Sequence, residues 1–161
     1  WGKQAAIAQG MTTADAIAAG SVPFVVAQSA ALMWPLVLIF VLDRIDRVKA
    51  LALCMGLGAA GYTATMFISD PLGTNALPLF CLLGIGQISA FLGAQSLINK
   101  AAPAADRGAI VGTYNFAGAV GILILGTAGG WLFDHMGPAS PFVLVGLCNA
   151  AVAVAAGVFR R

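Results

Sequence analysis

Residues 108–133 read GAIVGTYNFAGAVGILILGTAGGWLF, a run of 26 residues without one charged side chain. A helix rises about 1.5 Å per residue, so roughly 20 such residues cross a hydrocarbon layer about 30 Å thick. The run is long enough to span a bilayer. Four other stretches share its character, at 15–42, 48–68, 75–99 and 139–159. None alternates polar and apolar residues over about 10 positions, as a barrel strand would. Without water at depth, free backbone groups must bond within their own segment, which leaves continuous helices. The expected fold class is therefore all-α, a polytopic transmembrane helix bundle of five spans in a single unit over residues 1–161.

Composition points the same way. Of 161 residues, 60% are hydrophobic and 9% charged, with a mean hydropathy of +0.94. A soluble domain uses about 25% charged residues to solvate its surface. The apolar content also excludes a disordered chain. Eight Lys and Arg against six Asp, with no Glu, give a net charge of +2, a balance that points to no nucleic-acid partner.

Catalytic or metal chemistry finds little material. Cys54, Cys81 and Cys148 sit singly in separate apolar stretches, where they read as small packing residues. His135 has no second imidazole to join it. Neither a metal site nor a cofactor is expected, and no nucleophile stands beside a base, so the chain does not read as an enzyme.

Turn chemistry falls between the stretches: Asp70-Pro71-Leu72-Gly73-Thr74-Asn75, Ala102-Pro103-Ala104-Ala105-Asp106-Arg107-Gly108 and Met136-Gly137-Pro138. Pro23 and Pro35 lie inside the first stretch, where each deletes a backbone donor and is expected to kink the helix. Orientation follows from Lys and Arg near span ends, which stay on the cytoplasmic side. Arg44, Arg47, Lys49, Lys100, Arg107, Arg160 and Arg161 fall on one side and only Lys3 on the other. This predicts an amino end outside and a carboxyl end in the cytoplasm, in an inner or plasma membrane. The chain opens on Trp1, shows no secretory signal pattern, and crosses an odd number of times from outside. Further spans upstream are therefore expected.

Asp43-Arg44-Ile45-Asp46-Arg47 resembles the short cytoplasmic signature of the major facilitator superfamily of secondary transporters, in a relaxed form with Ile39 and Asp46 where the family prefers Gly. Pro103, Arg107-Gly108, Gly112, the segment Gly129-Gly130-Trp131-Leu132-Phe133-Asp134-His135-Met136-Gly137 and Pro141-Phe142 are similar to the last two helices of that family. The resemblance covers the whole chain. It implies that the five spans are the eighth to twelfth of a twelve-helix fold, with residues 1–12 ending the seventh, and that an amino-terminal bundle of the same transporter is the missing partner. Gly130, Asp134 and Gly137 also match the signature's spacing, but on the opposite side, and read as a helix-ending turn.

Such transporters rock two bundles about a site near the midplane. No Asp, Lys, Arg or His lies near the middle of a span here, so a titratable relay would belong to the other half. The deep polar residues are Gln28, Gln87, Gln95 and Asn115, with Tyr62 and Tyr114 nearby. On α-helical geometry Gly84, Gln87, Phe91 and Gln95 share a face, as do Ser21, Phe24, Gln28 and Pro35. The resemblance implies that the first, third and fourth spans line the cavity. Gln28, Gln87, Phe91, Gln95 and Asn115 are accordingly the candidate contacts for a small solute. The alternative is interhelical bonding, worth about 0.6 to 2 kcal/mol each. Asn115 stands in a stripe of small residues, Gly108, Gly112, Ala119, Gly126 and Gly130, which suits close helix packing.

The resemblance gives Asp43, Arg44 and Arg47 a gating role at the cytoplasmic mouth. Otherwise the cations there set topology and meet anionic lipid. The functional expectation is transmembrane transport by alternating access. Its alternative is a non-transporting membrane receptor or assembly subunit of the same fold.

Overall fold

A computed structural model describes residues 1–158. Its helices are α1 (Gly2–Ala8), α2 (Thr13–Leu42), α3 (Arg47–Thr63), α4 (Leu77–Ala101), α5 (Arg107–Met136) and α6 (Ser140–Val158), with 3-10 turns at Ala64–Phe67 and Thr74–Ala76. No strand occurs among the described residues. Five helical segments are long and apolar enough to cross a membrane, so the chain is an integral membrane protein with the expected helix-bundle fold.

Local chemistry sets the boundaries. At the head of α2, the Thr12 hydroxyl donates to the Asp15 carboxylate at 2.7 Å and accepts from the Asp15 N–H at 3.3 Å. Asp46 caps α3 by accepting from the Val48 and Lys49 N–H groups at 3.0 and 3.4 Å. At the far end of α3 the Thr63 and Thr65 hydroxyls donate to the Ala59 and Tyr62 carbonyls, both at 2.7 Å, as the coil tightens from α to 3-10. The expected second span thus stops being an α-helix five residues early, although its 3-10 continuation reaches Phe67. α5 ends at Gly137, whose φ of +101° suits a residue without a β-carbon. Gly130 to Met136 are still α-helix, so of the segment expected to form a helix-ending turn only Gly137 ends the helix. α2 runs unbroken through Pro23 and Pro35.

Short connections reverse the chain after each long helix, so α2 and α4 run in the same direction. α4 is the centre of the bundle. It packs on α2 along one side and on α3 along another; α3 continues onto α6, and α5 leans mainly on α6. Glycines make these contacts close. No β-carbon fits at Gly84 against the Ala27 carbonyl, nor at Gly61 against the Leu82 carbonyl. One built at Gly146 would stand 2.7 Å from Cγ2 of Thr63. Near the start of the chain, α1 folds back across α2 where Gly2 meets Gly20.

Two small apolar clusters fill the interior. One gathers Ala27, Ile68, Ala76, Phe80 and Leu83; the other gathers Leu38, Leu42, Ala50 and Cys54. Large apolar side chains such as Leu32, Phe40, Phe116, Ile122 and Leu123 are exposed on the surface. In water that would be untenable; in hydrocarbon, apolar surface is the solvated surface.

The stripe on α5 behaves otherwise than close packing within this chain requires. A β-carbon built at Gly108, Gly112, Gly126 or Gly130 would meet nothing within 4 Å. Among the described residues the stripe is therefore open.

Candidate functional site

The seam between α2 and α4 carries Gln28 and Gln87, both exposed in this chain, the buried Ser89 and the half-buried Gln95. Towards the Gly10 end lies a cavity of about 340 Å³. α2 supplies Pro23, Phe24, Ala27 and Gln28; α4 supplies Phe80, Leu83 and Gln87; Trp1, Tyr62 and Phe142 close it from three other segments. The Trp1 ring meets Phe80 edge-on at 6.1 Å and Phe142 at 6.4 Å between centroids. The walls are aromatic and apolar, with two carboxamides and a phenol as the polar groups. Such a lining can hold an apolar body while bonding one uncharged end.

Next along the seam the indole N–H of Trp34 donates to Oγ of Ser89 at 2.8 Å. Ser89 is wholly buried, and the bond satisfies both groups where no water reaches. Beyond it, towards the Asp43 end, a second cavity of about 340 Å³ is lined by Pro35, Ile39, Leu42, Leu92, Gln95, Ser96 and Asn99. Oε1 of Gln95 has almost no accessible surface and no hydrogen-bond donor, so it is other atoms of Gln95 that line this space.

The expected solute contacts therefore divide. Gln28 and Gln87 share the first cavity, Gln95 lines the second, and Phe91 between them is exposed at the surface of α4. Asn115 is exposed on the open face of α5, apart from both cavities.

At the Asp43 end, Asp43 and Arg44 are exposed in the turn after α2. Arg47 is held within the bundle: its Nη1 donates to Oγ of Ser96 on α4 at 2.7 Å. Asp46 is occupied as a cap, and the N–H groups of Val48 and then Lys49 hold its carboxyl below the usual carboxylate range. Ser96 thus ties the signature turn to the wall of the second cavity.

Sequence reasoning passed over Trp34, Ser89, Ser96 and Asn149. Ser89 and Ser96 are seven residues apart and so share a helix face, a spacing that marks a hydroxyl-bearing seam. Asn149 is a polar residue within an apolar span that lies against Gly58 of α3, where its Nδ2 is buried without a partner. His135 is engaged locally, its Nδ1 2.8 Å from the Trp131 carbonyl and its ring stacked on that indole at 4.6 Å.

Comparison with known proteins settles the family. The family model of the Major Facilitator Superfamily matches residues 4–161. This chain belongs to the Major Facilitator Superfamily. Among relatives of this superfamily member, the magnetosome protein MamH of Paramagnetospirillum magneticum is 32% identical over 111 residues, 69% of this chain and 26% of that protein. The magnetosome protein MamZ is 35% identical in P. magneticum and 34% identical in Magnetospirillum gryphiswaldense, each match covering 65% of this chain and 16% of the relative. The match thus spans about a quarter or less of each relative's length. No solved structure is a significant match. Membership of this superfamily supports a transporter-type function in general.

Proposed function

We propose that this chain is the carboxyl-terminal bundle of a secondary transporter that carries a small solute by alternating access. In this reading α2, α4 and α5 face an amino-terminal bundle, and the open glycine face of α5 is part of that contact. The observation that carries the proposal is the pairing of Gln28 on α2 with Gln87 on α4 in one aromatic-walled cavity, in a chain of this superfamily. Two bundles moving against each other would expose that cavity to either side in turn. Gln28, Gln87, Phe91, Gln95 and Asn115 are the proposed solute contacts. Asp43 and Arg44 meet the opposite bundle when the inner mouth closes, and Arg47 holds the turn in place from within. The chain acts without catalysing a covalent reaction and without a cofactor.

The amino end lies outside and the basic end in the cytoplasm, by the distribution of Lys and Arg. An inner or plasma membrane is the proposed residence. The relatives' names offer a magnetosome membrane as the other candidate, and a fluorescent fusion imaged in the source cell distinguishes them.

The test is uptake of a panel of small solutes by the full-length protein in sealed vesicles. Transport of at least one, abolished in a Gln87→Ala, Gln95→Ala variant of equal abundance, supports the proposal. No uptake of any solute by a folded protein favours the receptor or assembly role. Undiminished uptake by the variant assigns those glutamines to helix packing.

A further inference from the structure

We infer that the groove at the Asp43 end of the α2–α4 seam is the seat of an anionic phospholipid, with an acyl chain along the groove and the phosphate on the Arg47 guanidinium. The inference does not rest on the transport reading. Asp43 and Arg44, which that reading sets against an opposite bundle, take no part in it.

The groove is graded from apolar to polar along its length. On α2 it is lined by Pro35, Ile39 and Leu42, which are apolar throughout. On α4 the lining runs from Leu92 to Ser96 and Asn99 in the last two turns of the helix, about 10 Å along its axis. Gln95 interrupts this wall little, because its Oε1 has almost no accessible surface. The polar residues thus lie where α4 ends and headgroups replace hydrocarbon, and the apolar ones reach deeper. Ile39 is 56% exposed, so the groove is open at its flank and the flank is greasy. The other half of the seam differs: its cavity presents the exposed carboxamides of Gln28 and Gln87, and no cation lines it.

Charge completes the match. Arg47 reaches the polar end of the groove through its 2.7 Å bond to Oγ of Ser96. That partner is a neutral hydroxyl, which leaves the positive charge uncancelled, and a guanidinium has five N–H donors in a fork that fits a phosphate. Lys100 is exposed one turn beyond Ser96 on the same side of α4. Of the acids at this end, Asp46 is committed to the cap of α3, and Asp43 is exposed in the turn after α2. Basic side chains at the mouth of an apolar groove between two spans are what holds an anionic headgroup.

The experiment uses the full-length protein in dodecyl maltoside, stripped of lipid and titrated with phosphatidylglycerol or with phosphatidylcholine of the same acyl chains. Native mass spectrometry counts the lipid retained. The wild type is expected to hold one phosphatidylglycerol about tenfold more tightly than phosphatidylcholine, and Arg47→Gln to lose most of that preference. Lys100→Gln, at an exposed position, lowers the preference severalfold and covers the case in which Arg47→Gln does not fold. Ile39→Trp fills the groove from an exposed position and should weaken both lipids alike. Phe40→Trp, also exposed on α2 but outside the groove, should leave both as they were. Phosphatidylglycerol should raise the thermal midpoint, and inorganic phosphate at the same concentration should not.

Equal retention of the two lipids by the wild type, or a preference untouched by both Arg47→Gln and Lys100→Gln, overturns the headgroup site. Wild-type lipid binding by Ile39→Trp overturns the groove, and is the result expected if a second bundle covers it. Protection by inorganic phosphate equal to that by phosphatidylglycerol assigns the cations to a free anion and overturns the inference as well. None of these readouts involves transport, so a protein that fails the uptake screen can still show the lipid site, and the two proposals fail separately.

Discussion

Gly84 of α4 lies so close beneath the backbone carbonyl of Ala27 on α2 that no β-carbon fits between them. The approach brings the two helices of the seam within backbone contact, which places Gln28 and Gln87 in one cavity. Gly84→Ala must push α2 away, a form of overpacking that costs about 1 to 3 kcal/mol. Gly56, whose added β-carbon would meet nothing within 4 Å, is the control. Thermal unfolding in detergent should show a lower midpoint for Gly84→Ala and an equal or higher one for Gly56→Ala, since alanine is the better helix former. Matching midpoints for the two variants would dismiss the close contact.

The Arg47–Ser96 bond should be detectable as a coupling. A hydrogen bond to a charged donor is worth about 1.5 to 3 kcal/mol when buried and less where solvent screens it, so about 1 kcal/mol is expected at this half-buried site. A double-mutant cycle of Arg47→Gln and Ser96→Ala, read by thermal stability, measures it. A coupling energy near zero would release Arg47 from the bundle and return it to the open mouth.

Asp46 gives a pH signature. Its folded carboxyl titrates below the ordinary value of 3.8 because the Val48 and Lys49 N–H groups bond the ionised form. A depressed pKa contributes stability that is present above the unfolded value and disappears as pH falls through the folded one. The wild type should therefore lose stability below about pH 4 in excess of Asp46→Asn, which caps without titrating. Asp46→Ala should be less stable than both near neutral pH. Parallel acid-unfolding curves for wild type and Asp46→Asn would contradict the capping role.

Asn149 separates structure from function in the α3–α6 contact. Its Nδ2 is buried without an acceptor, so a leucine of similar size removes an unsatisfied group, and Asn149→Leu should be neutral or stabilising in a melting experiment. Gly58→Ala should destabilise mildly, because the new methyl would stand 3.1 Å from Cβ of Ala90 and would displace the Asn149 carboxamide, whose Nδ2 lies 2.8 Å away. A strongly destabilised Asn149→Leu would reveal a bond to a group outside this chain.

If the proposed amino-terminal bundle exists, the open glycine face of α5 is where it is expected to dock. Gly112→Leu and Gly126→Leu add bulk to open space here, so any loss must come from a contact beyond these residues. Co-purification of a tagged amino-terminal half with this chain should fall severalfold in either variant. Unaltered co-purification would leave the stripe facing lipid.

Much of the fold is legible in the residues because the bilayer imposes a length and a polarity on every crossing. Runs such as 108–133 have one satisfactory conformation at that depth, and the turns at Asp70-Pro71, Pro103 and Gly137 fall where the runs stop. The first turn of α3 was equally readable in principle, since an Asp before an apolar helix is a cap. Helical periodicity also put Gln87 and Gln95 on one face of α4, but it could not divide them between two cavities.

The residues alone determined that this polypeptide is a helical membrane protein with uncharged polar groups at depth, since hydrophobicity and spacing are properties of one chain segment at a time. Only the tertiary structure decided which partners those groups meet: that Gln28 and Gln87 line one cavity, that Trp34 reaches Ser89 across 55 residues, that Arg47 turns inward to Ser96, and that Gly108, Gly112, Gly126 and Gly130 of α5 meet nothing within 4 Å among the described residues. Such pairings depend on how closely two helices approach and at what register. A single glycine, Gly84 against Ala27, sets that distance by lacking a side chain, and its hydropathy gives no sign of it.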